Sequence, residues 1–342
     1  MEKKILIINV NWVGDVLFST PFIRAVREAY QKSYIACLIH PRCIEMLEGN
    51  PHLNELIIYD EEGRHKGFLG KLDLISKIRK KRFNTAFILH RSFTKAALAY
   101  LAGIDVRIGY PTKHRTRILT KSVEEPAEAL HKVEYFLNIL RAVGIKPKHL
   151  FYEFFINDSD KRYIKDFLEK NGVRNSDMLI AICPGGNWDM KRWPRENYAK
   201  VSDLLQKKHN AKIVIVGAYK DIGLAEDIKL RMNSPPIIAC GQTTLKQLGA
   251  LLERANLVIA NDTGPMHIAV SMKAKTISLF GPTSPKITGP YGNGDYKVMI
   301  SRNEACDLPC YDVTCADNRC MAAISVDEVF SEASKMLTHD NR

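Results

Sequence analysis

Short apolar runs alternate with amphipathic stretches along most of the chain. Ile5 to Val10 is apolar apart from Asn9, the pattern of a parallel strand buried on both faces. Tyr34 to Ile39, Leu56 to Tyr59 and Thr85 to Leu89 repeat that pattern. Positions 16–30 carry Val16, Phe22, Ile23 and Val26 at helical spacing, and positions 69–80, 93–102 and 127–143 also read as helices. Pro147 and the charged residues around it read as a linker. A second series follows, with strands at Met178 to Cys183, Lys212 to Val216, Ile237 to Cys240, Leu257 to Ala260 and Thr276 to Phe280, and helices near 195–208, 221–231, 244–253 and 264–272. Strand–helix alternation of this kind predicts parallel sheets with right-handed crossovers, and its occurrence twice predicts two Rossmann-like lobes with a cleft between them. Ligands of such sheets sit beyond the carboxyl ends of the strands, so chemistry is expected in the loops that follow them.

Composition narrows the function. The length of 342 residues suits about two domains. Lys plus Arg is 50 and Asp plus Glu is 38, a net charge of +12, which points to an anionic partner: nucleic acid, a phosphorylated substrate or an acidic membrane surface. The basic residues are scattered and no nucleic-acid module is recognised, so nucleic acid is not expected. No apolar run approaches the roughly 18 residues of a membrane span. The run from Ile5 is too short for a signal peptide and Asn9, Asn11 and Asp15 interrupt it, so a cytoplasmic protein is expected. Eight cysteines in so long a chain do not read as a secreted disulfide framework.

Five loops carry candidate chemistry. Asn11 to Asp15 follows the first strand with Gly14 as its one glycine, too few for a dinucleotide fingerprint. Asp15 there is either a helix cap or a general base for a sugar hydroxyl. Pro184 to Pro194 opens the second series; Gly185 and Gly186 expose backbone N–H groups, and Lys191 and Arg192 add positive charge. It reads as a phosphate cradle or as an ordinary loop leading into a helix. In Asn261 to His267, Thr263 suits an N-cap and Pro265 a first helical turn, giving a helix N-terminus suited to a diphosphate. His267 is either part of that anion site or a structural histidine. Phe280 to Pro285, after the next strand, could close the same site. Asp221, after another strand, is either an acid holding ribose hydroxyls or a cap.

Two further clusters stand apart. Cys306, Cys310, Cys315 and Cys320 could make a tetrahedral zinc site, but the spacing lacks paired knuckles and thiols without metal are the expectation. Lys113, Arg115 and Arg117 form a basic loop that fits an acidic acceptor or a solvated surface.

Taken together, Trp12-Val13-Gly14-Asp15, the stretch from Lys191 to Pro194, the run from Asn261 to His267 and the Phe280-to-Thr283 loop resemble the ADP-heptose:lipopolysaccharide heptosyltransferases over nearly the whole chain. The Trp-Val-Gly-Asp form is most similar to their heptosyltransferase II branch, and the cysteine cluster followed by Met321 is shared by many members. The resemblance implies an α/β protein of GT-B fold: an acceptor-binding domain over 1–155, an ADP-sugar-binding domain over 156–325, and a helix over 326–342 packing back on the N-terminal domain. It implies inverting transfer of L-glycero-D-manno-heptose from ADP-heptose to the lipopolysaccharide inner core, at the cytoplasmic face of the inner membrane and in peripheral contact with it. Asp15 matches the family's general base and Lys191 its diphosphate-binding lysine. Asn187, Asp221, Asp262, Thr263, Gly264 and His267 would complete the donor site, and Lys113, Arg115 and Arg117 would meet the acceptor. No Asp-x-Asp pair is present in the cleft loops to demand a metal, and no cofactor is expected. The alternatives are a transferase of the same family with another sugar or acceptor, and a polyanion-binding protein without chemistry.

Overall fold

In the computed structural model, which describes residues 3–301 and 306–338, twelve strands form two six-stranded parallel sheets. The first holds β1 (Lys4–Ile8), β2 (Tyr34–Ile39), β3 (Glu55–Ile58), β4 (Thr85–Ile88), β5 (Val106–Gly109) and β6 (Lys121–Ser122), in the order β3-β2-β1-β4-β5-β6. The second holds β7 (Leu179–Cys183), β8 (Lys212–Ile215), β9 (Ile237–Ile238), β10 (Leu257–Asn261), β11 (Thr276–Phe280) and β12 (Tyr296–Ile300), in the order β12-β11-β10-β7-β8-β9. Each sheet is built outward in one direction and then outward in the other, so its order reverses between β1 and β4 and between β7 and β10. A crevice forms at the carboxyl ends of the strands at each such reversal.

The central strands are apolar because helices cover both of their faces: Ile5 to Ile8, and all of β7 and β10, are buried. The chain divides into two units, Met1–Phe155 and Ile156–Arg342. Residues following the Pro147 stretch still belong to the first unit. Buried Arg24 donates to the carbonyls of His149 (3.0 Å) and Phe151 (2.8 Å) and pairs with Glu153 at 2.6 Å.

Two local features depart from expectation. The single helix expected over 16–30 is two, Val13–Phe18 and Thr20–Ala29. Pro21 lacks the amide a continuous helix needs and suits the first turn of a new one. The Ser19 hydroxyl at the break donates to the Val16 carbonyl (2.6 Å). A helix at Asp158–Lys170 escaped the apolar pattern because its buried side is the narrow stripe Asp160, Ile164 and Leu168. The last helix, Val326–Thr338, packs on the second unit, and residues 339–342 of the expected 326–342 span lie outside the described residues. Val329, Ala333 and Met336 enter that unit's core, and Lys275 Nζ donates to the Met336 carbonyl at 2.6 Å.

Trp193 ties the second unit together. Its ring is 2% exposed, meets Tyr198 edge-on at 5.0 Å between centroids, and donates from Nε1 to the Ile324 carbonyl at 2.9 Å. Trp193→Ala should cost about 3–5 kcal/mol, the usual range for a large aromatic removed from a core. Urea unfolding checks it; a loss below about 1 kcal/mol would show that the ring is not a keystone of this unit.

Candidate functional sites at the two sheet reversals

In the first unit, the loop after β1 is fixed by buried Asn9. Its Nδ2 donates to Ser19 Oγ (2.8 Å) and its Oδ1 accepts from the Val10 amide (2.8 Å). Helix Val13–Phe18 then starts with Trp12 at its N-cap and no side-chain cap bond. Asp15 is therefore the third residue of the helix and does not occupy the N-cap. It lies half-buried beside Cys43, whose thiol is pushed up to about 12 by burial, with the Asp15 charge adding to the rise.

The same loop is gripped by residues that the motifs did not reveal. Asn11 accepts a hydrogen bond through Oδ1 from Lys95 Nζ and donates through Nδ2 to Glu61. Lys95 is 4% exposed, lies 4.0 Å from Glu61 and sits 5.6 Å from the Tyr59 ring centroid. Burial lowers its pKa from 10.5 to about 8, with Glu61 opposing the shift. Burial, with Lys95 and Arg115 nearby, lowers His90 to about 4. This end of the sheet therefore holds a buried ammonium next to a neutral imidazole. The available signal was position: Lys95 opens the helix after β4, the partner of β1 at the reversal.

The basic loop after β5 divides. Lys113 and Arg117 are exposed, as an acceptor site requires. Arg115 is fully buried and donates to the carbonyls of Tyr110 (2.6 Å), His90 and Ser92 (3.3 Å). Its guanidinium stitches the β4 and β5 loops together, which corrects its assignment as an acceptor contact.

In the second unit, Asn261 at the end of β10 is wholly buried and joins the two strands of the reversal. Its Nδ2 donates to the carbonyls of Pro184 (2.8 Å) and Gly185 (3.2 Å), and its Oδ1 accepts from the Trp193 amide (3.2 Å) and the Tyr198 hydroxyl (2.8 Å). The glycine loop and the Asn261–His267 turn are thereby held side by side. Lys191 Nζ donates to Asp262 Oδ2 at 2.6 Å and stands 4.6 Å from the Trp188 ring centroid. The same Asp262 oxygen accepts from Thr283 (2.7 Å), and His267 Nε2 is 4.0 Å from Asp262 Oδ1. Helix Gly264–Ser271 begins directly after this pair. Its N-cap Thr263 makes no side-chain cap bond and donates instead to the Asn261 carbonyl at 3.3 Å. An ammonium and a helix N-terminus thus converge, the combination that suits a diphosphate.

The remaining donor candidates differ in character. Asn187 is exposed and accepts from Lys220 Nζ at 3.1 Å. Asp221 is 6% exposed; its Oδ2 accepts from the Ala218 amide at 2.9 Å. It packs so tightly on Gly185 that a Cβ there would meet its carboxyl carbon at 2.8 Å. The carboxylate supports the glycine loop through this packing, and its Oδ1 has no hydrogen-bond partner among the described residues. Cys306, Cys310, Cys315 and Cys320 line one cavity of about 210 Å3 with Met190 and Pro282. Among the described residues no three His, Cys, Asp or Glu side chains converge closely enough to hold a metal ion.

The Lys95 environment yields a sign-definite pH effect. Its folded pKa lies below the unfolded value, so between about 8 and 10.5 the unfolded chain binds more protons and the stability contributed by this group rises with pH. Relative to Lys95→Met, the wild type should gain up to about 3 kcal/mol across that window, at 1.36 kcal/mol per pKa unit. Denaturant unfolding of both proteins at a series of pH values checks this; parallel curves would contradict the buried ammonium.

Comparison with known proteins agrees with this architecture. The family model described as glycosyltransferase family 9 (heptosyltransferase) matches residues 71–319. The lipopolysaccharide heptosyltransferase 2 of Escherichia coli K12 is 27% identical over 84% of this chain and 85% of its own. The lipopolysaccharide heptosyltransferase 3 of the same strain is 26% identical over 96% of each. Among solved structures, a family 9 glycosyl transferase from Veillonella parvula superposes with a TM-score of 0.92 at 25% identity, covering 99% of both chains. Two Rossmann-like units with these reversals make a GT-B architecture, and the chain belongs to glycosyltransferase family 9, the heptosyltransferases of lipopolysaccharide core biosynthesis.

Proposed function

We propose that this enzyme is a heptosyltransferase II-type transferase, moving L-glycero-D-manno-heptose from ADP-heptose to the lipopolysaccharide inner core with inversion. The observation that carries the reading is the convergence of Lys191 Nζ, Asp262 and the start of helix Gly264–Ser271 at the β7/β10 reversal. The diphosphate would lie on the Lys191 ammonium and on the amides from Thr263 and Gly264 onward, with Asp262 and His267 beside the sugar and Asn187 at the rim. The acceptor would bind the first unit, drawn by exposed Lys113 and Arg117. Family membership sets aside the polyanion-binder alternative.

The chemistry is one in-line displacement. The acceptor hydroxyl oxygen forms its bond to the anomeric carbon as the bond from that carbon to the diphosphate oxygen breaks. ADP leaves with the electron pair, and the hydroxyl proton passes to Asp15. Charge grows on the departing diphosphate, and a preorganised ammonium and helix N-terminus stabilise that growth without reorganising. Lys191 is held ready by Asp262, so the cation is oriented before the donor arrives.

Asp15→Asn should keep ADP affinity and lose about 100- to 10,000-fold in turnover, the usual cost of removing a general base. A folded Asp15→Asn protein with wild-type turnover would remove Asp15 from the reaction. Lys191→Ala should weaken ADP binding by about 1.5–3 kcal/mol, the worth of a charged hydrogen bond, as read by calorimetry. Unchanged affinity would place the diphosphate elsewhere.

The two lobes' roles separate in steady-state kinetics. Lys113→Ala with Arg117→Ala should raise KM for the acceptor several-fold and leave KM for ADP-heptose unchanged, and the wild type should lose more activity to added salt. A defect confined to ADP-heptose would reverse the assignment of the lobes.

A further inference from the structure

The crossover helix Gly67–Lys81 has an apolar stripe longer than the core beneath it. Leu74, Ile75 and Ile78 are buried. Phe68 stands seven residues before Ile75 and Leu72 three before it, so both continue the same side of a 3.6-residue helix. Yet Phe68 is 75% exposed, Leu69 80% and Leu72 42%. The first turns therefore overhang the sheet and leave three large apolar side chains uncovered.

This overhang is held in place. The Asp60 carboxylate accepts from the amides of Gly63 (2.9 Å) and Arg64 (3.0 Å), and buried His65 accepts at Nδ1 from the Asp60 amide (3.0 Å). The helix start packs so closely on this turn that a Cβ at Gly70 would meet the Arg64 carbonyl oxygen at 2.6 Å. A built turn thus presents the apolar side chains to solvent.

The segment that carries these side chains is itself basic, with acids on either side of it. From Arg64 to Leu72 the segment carries Arg64, Lys66 and Lys71 and no acid. The nearest carboxylates along the chain are each held: Asp73 by Arg64 itself (3.4 Å) and Lys77 (3.3 Å), Glu62 by Arg42 (2.7 Å), and Asp60 by the amides of its own turn, which leaves Lys66 and Lys71 as the segment's cations outside a salt bridge among the described residues. Apolar side chains ringed by cations match a bilayer bearing anionic headgroups, where the rings enter the acyl boundary and the cations meet the negative surface.

We infer that Phe68, Leu69 and Leu72, with Arg64, Lys66 and Lys71, dock this enzyme on an anionic lipid bilayer. The inference rests on the proposed lipid-linked acceptor in one respect: position. The helix leaves the carboxyl end of β3, and Glu61 just before it bonds Asn11, so the docking knob lies at the sheet end that carries Asp15. Docking there brings the membrane to the acceptor side of the enzyme.

Sedimentation with extruded vesicles tests it without any saccharide acceptor. The wild type should bind vesicles of phosphatidylglycerol mixed with phosphatidylcholine, bind phosphatidylcholine alone at least tenfold more weakly, and release in high salt. Phe68→Ser with Leu69→Ser should weaken binding to the anionic vesicles by roughly tenfold or more, the scale of two apolar anchors lost. Lys66→Glu with Lys71→Glu should abolish the preference for anionic lipid. The first variant alters two exposed side chains and the second an exposed and a half-buried lysine, and unchanged thermal melting and ADP affinity should show both folded. Equal binding to neutral and anionic vesicles, wild-type binding by either variant, or no binding by the wild type would each overturn the docking surface. Those outcomes leave donor binding and turnover on detergent-dispersed acceptor to be read separately, so a failed surface is distinguishable from a failed reaction.

Discussion

The buried side chain of Asn261 is the constraint on which the proposed donor site of this enzyme depends. A side-chain amide has two donors and an acceptor oxygen, and all are engaged with groups from three separate segments. A parallel sheet brings the ends of β7 and β10 near each other but does not fix the loops that leave them. The amide does so, because leaving any of its polar atoms unpaired in a core costs about 1–3 kcal/mol. Lys191, five residues beyond Gly186, is thereby set against Asp262, one residue beyond Asn261, and the helix N-terminus is set beside both. The first unit uses the same device with different residues. Asn9 pins the loop after β1, and Asn11 is gripped by Lys95 from the neighbouring strand's helix.

The two ends differ in how they manage charge. The Lys191 side chain has an anionic partner at 2.6 Å and an aromatic face nearby. The Lys95 ammonium is buried more deeply, bonds an amide oxygen and has its carboxylate only at 4.0 Å, which is why burial dominates and lowers its pKa. The first arrangement suits a cation that must meet a diphosphate. The second suits a group that holds a loop in shape beneath Asp15.

Much of the fold was legible in the order of residues. Largely apolar runs marked β1, β2, β4, β7, β8, β10 and β11, since a strand covered on both faces leaves little room for polar side chains. β12 escaped because its residues are partly exposed, and β5 because Arg107 interrupts it with a side chain that bonds the Ile118 carbonyl. At the sites, the Asn261–His267 run was readable because cap and proline preferences are local. Lys95 and Glu61 were not, because nothing local announces that three loops distant in sequence meet on Asn11. Arg115 was misread for the opposite reason. Dense charge looks like surface, and only the fold shows three carbonyls turned inward to receive that guanidinium.

The central claim is that a donor held at one reversal is consumed only when an acceptor presents its hydroxyl to Asp15. It is tested most directly by following ADP release from ADP-heptose with and without heptose-deficient lipopolysaccharide. The account predicts release that depends on the acceptor and matches glycosylated product one for one. Equal release in the absence of acceptor, or no release with it, would contradict the account.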